Sequence, residues 1–552
     1  MQVSRRGFTA GALSIGAASF TSTRAIAAAP ATSRAVAAIR AYAEAHRRAF
    51  NLPGLTLGIA SPSGFSTVIN SGFANADART PITPATLFQI GSISKSFVAA
   101  LLHQYAAEGR LRLSDRISTL MPEFPLPKSN RIEVQHMLDH VAGLPGDAPL
   151  FAAGGLWTAY APGEHWHYSN TAYDMLGKLA EHIGGKPLAR LLRERIFLPL
   201  GMNQSHGAII GADRPLYAQG YEQADMVAPW VTGAPLAPAG WVDVTFGAGS
   251  IGSTAADMNH YLRNVAGAAQ GRGGFGLSPE QGLAFARHAV PSESKDMRYG
   301  NGLMNVEAGG RAYLHHTGGM VASSSSFHVD QGNGIGAFAS STISAFAEYR
   351  PRKLTLFAVQ ALAAAEAGQP LPAPPELIAP VARPQDYVGR YSDGARSFDI
   401  VTEGTQLAIV SAGTRAPLQQ ADEDLFRTLH PAFRDFALKF ERANGTVAGA
   451  VWGPDSFGRQ GASFAAPPQD PKLAMLAGRY VNDSPWSPPA VIVERGGKLF
   501  YGTDGALHAI GKNLFRIGDE AWSPERLAFA DFIDGRPQTF LFSGEKYLRH
   551  DI

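Results

Sequence analysis

The 552-residue sequence contains no cysteine, which excludes disulfide bonds, thiolate metal sites, iron–sulfur clusters and cysteine nucleophiles. It also lacks an excess of either charge: 48 Lys and Arg against 46 Asp and Glu leave a net charge of +2. We therefore expect no nucleic-acid partner. No stretch reaches the roughly 18 uninterrupted apolar residues of a membrane-spanning helix. The remaining composition, 45% hydrophobic and 17% charged, is that of a globular chain of about three domains.

The N-terminus predicts export. Arg5 and Arg6 precede a mildly apolar run over residues 9–20, and an Ala-x-Ala cleavage pattern follows at residues 25–27. Paired arginines in this position are typical of a bacterial twin-arginine signal. We therefore interpret residues 1–29 as a signal peptide and expect a periplasmic or secreted protein.

Two proline-rich segments divide the rest of the chain, at residues 368–384 and 465–472. Such segments behave as semi-rigid linkers. They separate a large block, residues 30–367, from two smaller blocks, residues 385–464 and 473–552.

The two smaller blocks are repeats of one another. Tyr391 matches Tyr480 and Phe426 matches Phe515, both at an offset of 89 (480 − 391 and 515 − 426). Short alternating runs broken by glycine-containing turns favour antiparallel strands in both copies. We predict two small antiparallel β-barrels.

The large block mixes strands and helices. Strand patterns lie near its start, at residues 55–60 and 65–70, and return near its end, at residues 313–316, 324–330 and 335–341. A helical stripe over residues 92–108 and several shorter helices lie between them. The whole chain is therefore predicted as α+β, with one antiparallel sheet that contains both ends of the block and an inserted helical region.

Ser92 and Lys95 form an S-x-x-K element at the start of the predicted helix. Residues three apart on a helix share a face, so Lys95 can reach the Ser92 hydroxyl. A serine hydroxyl becomes a good nucleophile when a neighbour takes its proton, and amide N–H groups at a helix start can stabilise an oxyanion. By itself the element is also compatible with an ordinary helix-start serine beside a surface lysine.

Two further elements follow in order. The first is Tyr168-Ser169-Asn170, and the second is His316-Thr317-Gly318-Gly319 at the end of a strand pattern. The order S-x-x-K, Y-x-N and [K/H]-T-G resembles the serine β-lactamase and penicillin-binding enzymes, in particular the class C β-lactamase and D-aminopeptidase group. The same resemblance extends over roughly residues 35–365 through these segments: Phe88-Gln-Ile-Gly-Ser92, His136-Met-Leu-Asp-His-Val-Ala-Gly-Leu-Pro145, Tyr160-Ala-Pro-Gly163 and Pro199-Leu-Gly-Met202.

The resemblance implies a role for each motif. Ser92 would attack the substrate carbonyl, and Lys95 and Tyr168 would carry the proton, with the choice of base left open. Asn170 would hold Lys95 and the substrate amide. The segment from His316 through Thr317 and Gly318 to Gly319 would line the opposite wall, with an N–H near Gly319 completing the oxyanion hole.

One departure bears on the substrate. His316 stands where β-lactamases and carboxypeptidases mostly carry a lysine, and a histidine is mostly neutral near pH 7. A D-aminopeptidase-like arrangement also has two trailing barrels, the last of which helps to shape the pocket. We therefore expect short peptides or amides as substrates. An esterase or β-lactamase on the same machinery, and a non-catalytic peptide- or peptidoglycan-binding protein, are the alternatives. Oligomeric state stays open.

Other candidate sites have simpler explanations. His165, His167, His315 and His316 suggest a metal, but no acidic partner at ligand spacing accompanies them, so we interpret them as exposed loop residues. The glycine-rich stretch at residues 332–336 is followed by no helix pattern and is interpreted as a hairpin turn. We therefore expect neither a metal nor a cofactor.

Overall fold

The protein is described by a computed structural model that covers residues 21–124, 126, 131–151, 155–464, 468–503 and 505–550. The paired arginines of the predicted signal lie outside the described residues. The predicted end of the signal, after residue 29, falls inside helix α1 (Thr21–Ala49). The signal and the domain boundaries therefore stay predictions. Within the described residues, no helix is both long and apolar enough to cross a bilayer.

The first part of the chain, up to residue 367, holds α1 to α10 and β1 to β13. The further helices of this part are α2 (Ser94–Ala107), α3 (Ile117–Leu120), α4 (Val134–Leu138), α5 (Asn170–Gly184), α6 (Leu188–Leu192), α7 (Leu198–Leu200), α8 (Ala255–Ala269), α9 (Pro279–Arg287) and α10 (Arg352–Glu366). Its strands are β1 (Gly54–Ala60), β2 (Ser66–Asn75), β3 (Thr80–Pro81), β4 (Phe88–Gln89), β5 (Tyr221–Gln223), β6 (Leu236–Pro238), β7 (Gly252–Ser253), β8 (Val290–Pro291), β9 (Met297–Gly300), β10 (Leu303–Ala308), β11 (Arg311–Gly319), β12 (Ser324–Asp330) and β13 (Gly336–Ser341).

Nine of these strands form one antiparallel sheet in the order β3-β2-β1-β13-β12-β11-β10-β9-β8. Early strand β1 pairs directly with late strand β13, with Leu57 opposite Ala339, so the predicted union of both ends of the block in one sheet is confirmed. Residues 331–335 link β12 to the adjacent antiparallel β13, as the predicted hairpin requires.

The sheet separates two hydrophobic cores. Since side chains alternate between the faces of a strand, Phe338 of β13 joins the core formed with α2, α5, α8 and α9, whereas Ala337 and Ala339 join the core formed with α1 and α10. Both faces are therefore covered. Strand β11, paired on both edges with β10 and β12 inside this covered sheet, therefore forms a wall against which the helical region can present side chains.

Two closed eight-stranded antiparallel barrels follow, so the predicted fold class is confirmed. The first contains β14 (Gly389–Ser392), β15 (Ser397–Glu403), β16 (Gln406–Ser411), β17 (Thr414–Asp422), β18 (Leu425–Arg427), β19 (Leu438–Ala443), β20 (Thr446–Trp452) and β21 (Asp455–Arg459). Helix α11 (Pro471–Ala474) precedes the second, which contains β22 (Gly478–Val481), β23 (Ala490–Arg495), β24 (Lys498–Tyr501), β25 (Gly505–Gly511), β26 (Leu514–Ile517), β27 (Arg526–Ile533), β28 (Arg536–Phe542) and β29 (Glu545–Arg549).

The repeated tyrosine has the same structural role in both barrels. Tyr391 and Tyr480 are fully buried in their barrel cores. The Tyr391 hydroxyl donates to the Tyr387 carbonyl at 2.8 Å, and the Tyr480 hydroxyl donates to the Leu476 carbonyl at 2.9 Å. In each barrel the buried hydroxyl finds its acceptor in the backbone carbonyl four residues earlier in the chain. This bond accounts for the repeated tyrosine at this position.

Candidate active site

Ser92 lies in a 3₁₀ turn, Gly91–Ile93, that precedes α2. The α-helix therefore begins at Ser94, two residues later than the sequence predicts. The turn packs tightly on the end of β11: a Cβ at Gly91 would lie 2.7 Å from the Gly319 nitrogen, and one at Gly318 would overlap the Ile90 carbonyl oxygen. These close backbone approaches explain the glycines, and they set the Ser92 turn against the third sequence motif.

Lys95 is completely buried, on the helical face next to Ser92. Its Nζ donates to Ser92 Oγ at 2.9 Å, to Asn170 Oδ1 at 2.6 Å and to the Ala248 carbonyl at 3.0 Å. Burial lowers the pKa of Lys95, and the charges of Asp174 and Asp147 oppose that change. Since three oxygens fix its direction, Lys95 can exchange a proton with Ser92 without changing its position.

Tyr168 lies over the same group. The Lys95 Nζ is 4.8 Å from the centre of the Tyr168 ring. Burial raises the pKa of Tyr168, and a hydrogen bond with Ser92 acts in the opposite direction. Tyr168 therefore remains a neutral phenol at physiological pH, able to donate a proton but not to take one at rest.

His316 and His315 are buried in β11, so their interpretation as exposed loop residues is wrong. His316 Nε2 lies 3.1 Å from the Tyr299 hydroxyl. Burial, together with the charge of Lys95, lowers the pKa of His316 to about 3. The third motif therefore presents a neutral histidine to the site, while Thr317 is partly exposed at the strand end.

His140 belongs to a segment quoted in the sequence analysis but was given no role there. Its ring lies 4.3 Å from the Tyr168 ring, and its Nδ1 accepts a hydrogen bond from the Ser169 N–H at 3.1 Å. Burial, with the neighbouring Lys95, lowers its pKa well below the ordinary value. A neutral His140 therefore supports the backbone at Tyr168 and Ser169. His140 is not close in sequence to any of the three motifs, so no sequence signal indicated this role.

Two carboxylates near Lys95 are new to the site. Asp147 Oδ1 accepts a hydrogen bond from Asn170 Nδ2 at 2.7 Å, and the Asp147 side chain still reaches solvent. Asp174 Oδ1 accepts from the Ala248 N–H at 2.9 Å. The spacing of Asn170 and Asp174, four apart on α5, is the one sequence signal that could have identified the second of these.

The second barrel reaches the site through the loop before β27. Glu525 Oε1 accepts from the Gly146 N–H at 2.7 Å and lies 2.8 Å from His167 Nε2. Trp522 stacks on His165, with ring centres 4.6 Å apart. His165 and His167, the histidines on either side of Trp166, therefore both contact the second barrel. Within the described part of the chain, no group of three or more His, Asp or Glu side chains could hold a metal ion.

A cavity of about 420 Å³ opens where all three domains meet. Ala345, whose N–H donates to the Met320 carbonyl just beyond β11, lines it together with Trp230, Phe436 and Pro489. An apolar space therefore lies beside the wall that carries the third motif.

These features agree with the family comparison. The beta-lactamase family model matches residues 24–361, which is more than half of the chain. The chain belongs to the beta-lactamase family. The matched range ends before the barrels, so membership of this family describes the part of the chain that contains Ser92, Lys95, Tyr168 and β11.

Individual relatives of this family member are distant. A beta-lactamase of Pseudomonas fluorescens is 33% identical over 184 residues, which cover 32% of this chain and 51% of the relative. Penicillin-binding protein 4* of Bacillus subtilis is 29% identical over 153 residues, covering 24% of this chain and 33% of the relative. The chain thus spans about half or less of the length of these relatives.

Among solved structures, the octameric penicillin-binding protein homologue from Pyrococcus abyssi superposes with a TM-score of 0.54 at 22% identity. The match covers 76% of this chain and 99% of that one. At this identity the likeness shows a shared fold.

Proposed function

We propose that this beta-lactamase family member is a serine hydrolase that works through an acyl-enzyme on Ser92. The observation that carries the proposal is the buried Lys95 amine, 2.9 Å from Ser92 Oγ and held by two further oxygens. A non-catalytic binding protein, the alternative from another class, would gain nothing from burying a cation beside a serine, because burial of a charge is costly.

Lys95 is the better candidate for the base. Burial lowers the pKa of Lys95 and raises the pKa of Tyr168, so the amine loses its proton far more readily than the phenol. In the proposed reaction, neutral Lys95 takes the Ser92 proton as Oγ bonds to the carbonyl carbon. The Tyr168 hydroxyl then passes a proton to the leaving nitrogen and is reprotonated from Lys95. Water repeats the sequence to release the acid and restore Ser92.

The substrate class is proposed to be short peptides or amides with a free amine, as in aminopeptidases or D-aminopeptidases. His316 is neutral, so the third motif offers no cation to a substrate carboxylate. Asp147 offers a solvent-accessible carboxylate beside Asn170, where a substrate ammonium could bind. The loop that carries Glu525 contacts Gly146 and His167, the neighbours of Asp147 and Tyr168 in the chain, and a barrel loop in this position would favour short substrates.

Arg350 favours an alternative, a β-lactamase or an esterase for carboxylate-bearing substrates. A Cβ at Gly319 would overlap its guanidinium, so this cation lies directly against the β11 wall. Burial lowers the pKa of Arg350 to about 10, which leaves it charged at neutral pH. The Arg350 guanidinium, next to Gly319, could therefore bind a substrate carboxylate without a lysine at position 316.

A substrate panel tests the proposal. It contains D- and L-aminoacyl p-nitroanilides, short peptides, p-nitrophenyl esters and nitrocefin, each assayed with the wild type and Ser92→Ala. Ser96→Ala is the matched control, because the Ser96 hydroxyl bonds the Ile93 carbonyl and Tyr261, not Lys95. Amide cleavage lost only in Ser92→Ala supports the proposal. Turnover of esters or nitrocefin alone would support the alternative, and no Ser92-dependent reaction at all would overturn the enzyme proposal.

Export through the twin-arginine route is part of the same proposal and rests on residues 1–29 of the sequence. Changing Arg5 and Arg6 to lysine should retain the protein in the cytoplasm of a bacterial host, as measured by cell fractionation. Unchanged export of the double variant would contradict the twin-arginine assignment.

A further inference from the structure

Two of the three residues that accept a hydrogen bond from Lys95 also donate a hydrogen bond to a carboxyl group. Asn170 gives Oδ1 to Lys95 and donates from Nδ2 to Asp147. Ala248 gives its carbonyl to Lys95 and donates from its N–H to Asp174. The Lys95 amine is therefore positioned from two sides by hydrogen-bonded chains that each end in a carboxyl group.

The contact between Asp174 and Ala248 depends on close packing of the backbone against α5. Asp174 lies one turn after Asn170, so both side chains share one face of the helix. On the same face, a Cβ at Gly177 would lie 2.9 Å from the Gly247 nitrogen, and one at Gly247 would overlap the Tyr173 carbonyl oxygen. Residues 247 and 248 are thus pressed onto α5, and Asp174 is the side chain that receives their N–H.

The charges around Lys95 come from several elements. Asp174 of α5 and Asp147 of the preceding loop attract its ammonium form. His140 and His316 face it as neutral rings because burial lowers the pKa of each. The charge of Lys178, one turn after Asp174 on α5, lowers the pKa of Asp174. Burial raises the pKa of Asp174, so this carboxylate and Lys95 compete for a proton in the same buried region.

We propose that Asp174 is a positioning residue for Lys95: it accepts the Ala248 N–H and thereby fixes the Ala248 carbonyl on Nζ, and its carboxylate stabilises the ammonium form of the lysine. The inference rests on the proposed role of Lys95 as the base. The Asp174 carboxylate accepts from the Ala248 N–H and interacts electrostatically with Lys95, and no hydrogen bond to Ser92 is found among the described residues, so its effect on Ser92 passes through the lysine. Removing its charge leaves the ammonium form less stable, and Lys95 then loses its proton at lower pH.

The variants separate charge from position. Asn in Asp174→Asn keeps an oxygen for the Ala248 N–H and removes the charge, whereas Asp174→Ala removes both. Asp115→Asn is the matched control, because Asp115 also accepts a backbone N–H at 2.8 Å, from Arg112, in another part of the molecule. Asp174→Glu is the converse variant, since it keeps the charge and moves the carboxylate one methylene further from α5.

The measurement is the rate at which a fluorophosphonate probe labels Ser92 between pH 5 and 10, followed by intact-protein mass spectrometry with melting curves at each pH. For Asp174→Asn we expect the acid limb to move down by about one pH unit with the plateau kept. Asp174→Ala should show the same shift and a plateau at least about tenfold lower. Asp174→Glu should keep the limb at the wild-type pH with a lower plateau, and Asp115→Asn should leave both unchanged.

An unmoved acid limb in folded Asp174→Asn would overturn the inference while leaving the proposed function intact. If Asp174→Asn does not fold, the decision rests on Asp174→Glu, whose plateau must fall with the limb unmoved for the inference to stand. The absence of Ser92 labelling in the wild type at every pH is a different result, because it removes the proposed function and this inference with it.

Discussion

His167 and Glu525 meet across the boundary between the catalytic part of the chain and the second barrel, with Nε2 and Oε1 2.8 Å apart. His167 directly precedes Tyr168, and the same Glu525 oxygen accepts from the Gly146 N–H, directly before Asp147. The C-terminal barrel therefore holds two backbone segments that carry site residues, although no sequence motif marks Glu525.

Replacing Glu525 should uncouple the barrel from the site. Glu525→Ala leaves the Gly146 N–H without its partner, so we expect a loss of at least about 2 kcal/mol in unfolding free energy and a lower kcat/KM. Urea unfolding and steady-state kinetics measure the two effects. Glu520→Ala, an exposed change in the same loop, is the control and should alter neither. Wild-type stability and kinetics in Glu525→Ala would show that the contact is incidental.

The same carboxylate should add a pH dependence to stability. Burial raises the pKa of the Glu525 carboxyl, but its hydrogen bonds with His167, Ser543 and the Gly146 N–H outweigh that effect, so the pKa in the folded protein lies below the ordinary value for a glutamate. The stabilisation is then present above about pH 4.5 and disappears as pH falls through the folded pKa. Melting temperatures of the wild type and Glu525→Gln should converge on acidification, and a difference that stays constant to pH 3 would disagree with this assignment.

Tyr168→Phe should keep the fold and slow the reaction. Removal of the phenol takes away a proton donor next to Ser92, worth about 10²–10⁴ in kcat. Tyr42→Phe is the matched control, because the Tyr42 hydroxyl lies in the core between α1 and α10, away from Ser92, and is buried with no hydrogen-bond partner in the described structure. Single-turnover acylation rates measure the effect. Equal rates in the two variants would remove Tyr168 from the proposed proton path.

His316→Gln should leave the pH profile unchanged. With a pKa of about 3, His316 stays neutral throughout an assay between pH 5 and 9, so no titration step belongs to it. We expect kcat/KM within about tenfold of the wild type and an acid limb at the same pH. A limb near pH 6.5 that vanishes in His316→Gln would show that the histidine titrates during catalysis.

Gly318→Ala should damage the site through the backbone. The added methyl group would overlap the Ile90 carbonyl oxygen next to the Ser92 turn, so we expect a loss of about 1–3 kcal/mol and a displaced nucleophile. At Gly211 the nearest atom to a new Cβ is 3.6 Å away, which makes Gly211→Ala the control. Thermal melting and Ser92 labelling compare the two, and equal labelling rates would argue against the close approach as a constraint on Ser92.

Local patterns predicted much of the architecture correctly. The strand patterns at residues 324–330 and 335–341 correspond to β12 and β13, both of which are buried along their whole length. The 89-residue offset likewise identified two related barrels. The interpretation of His315 and His316 as exposed was wrong because it rested on the lack of an acidic partner at ligand spacing, and a missing partner does not report the degree of burial.

The sequence by itself determined the proximity of Ser92 and Lys95, because three residues of helix bring them to one face whatever surrounds them. It also determined the order of the three motifs and the number of barrels. Tertiary structure alone decided which groups surround Lys95, since Ala248 and Glu525 lie far along the chain from their partners Asp174 and Gly146. Those contacts arise from packing between α5, the residue 247–248 segment and the second barrel, and packing of distant elements leaves no local pattern to read.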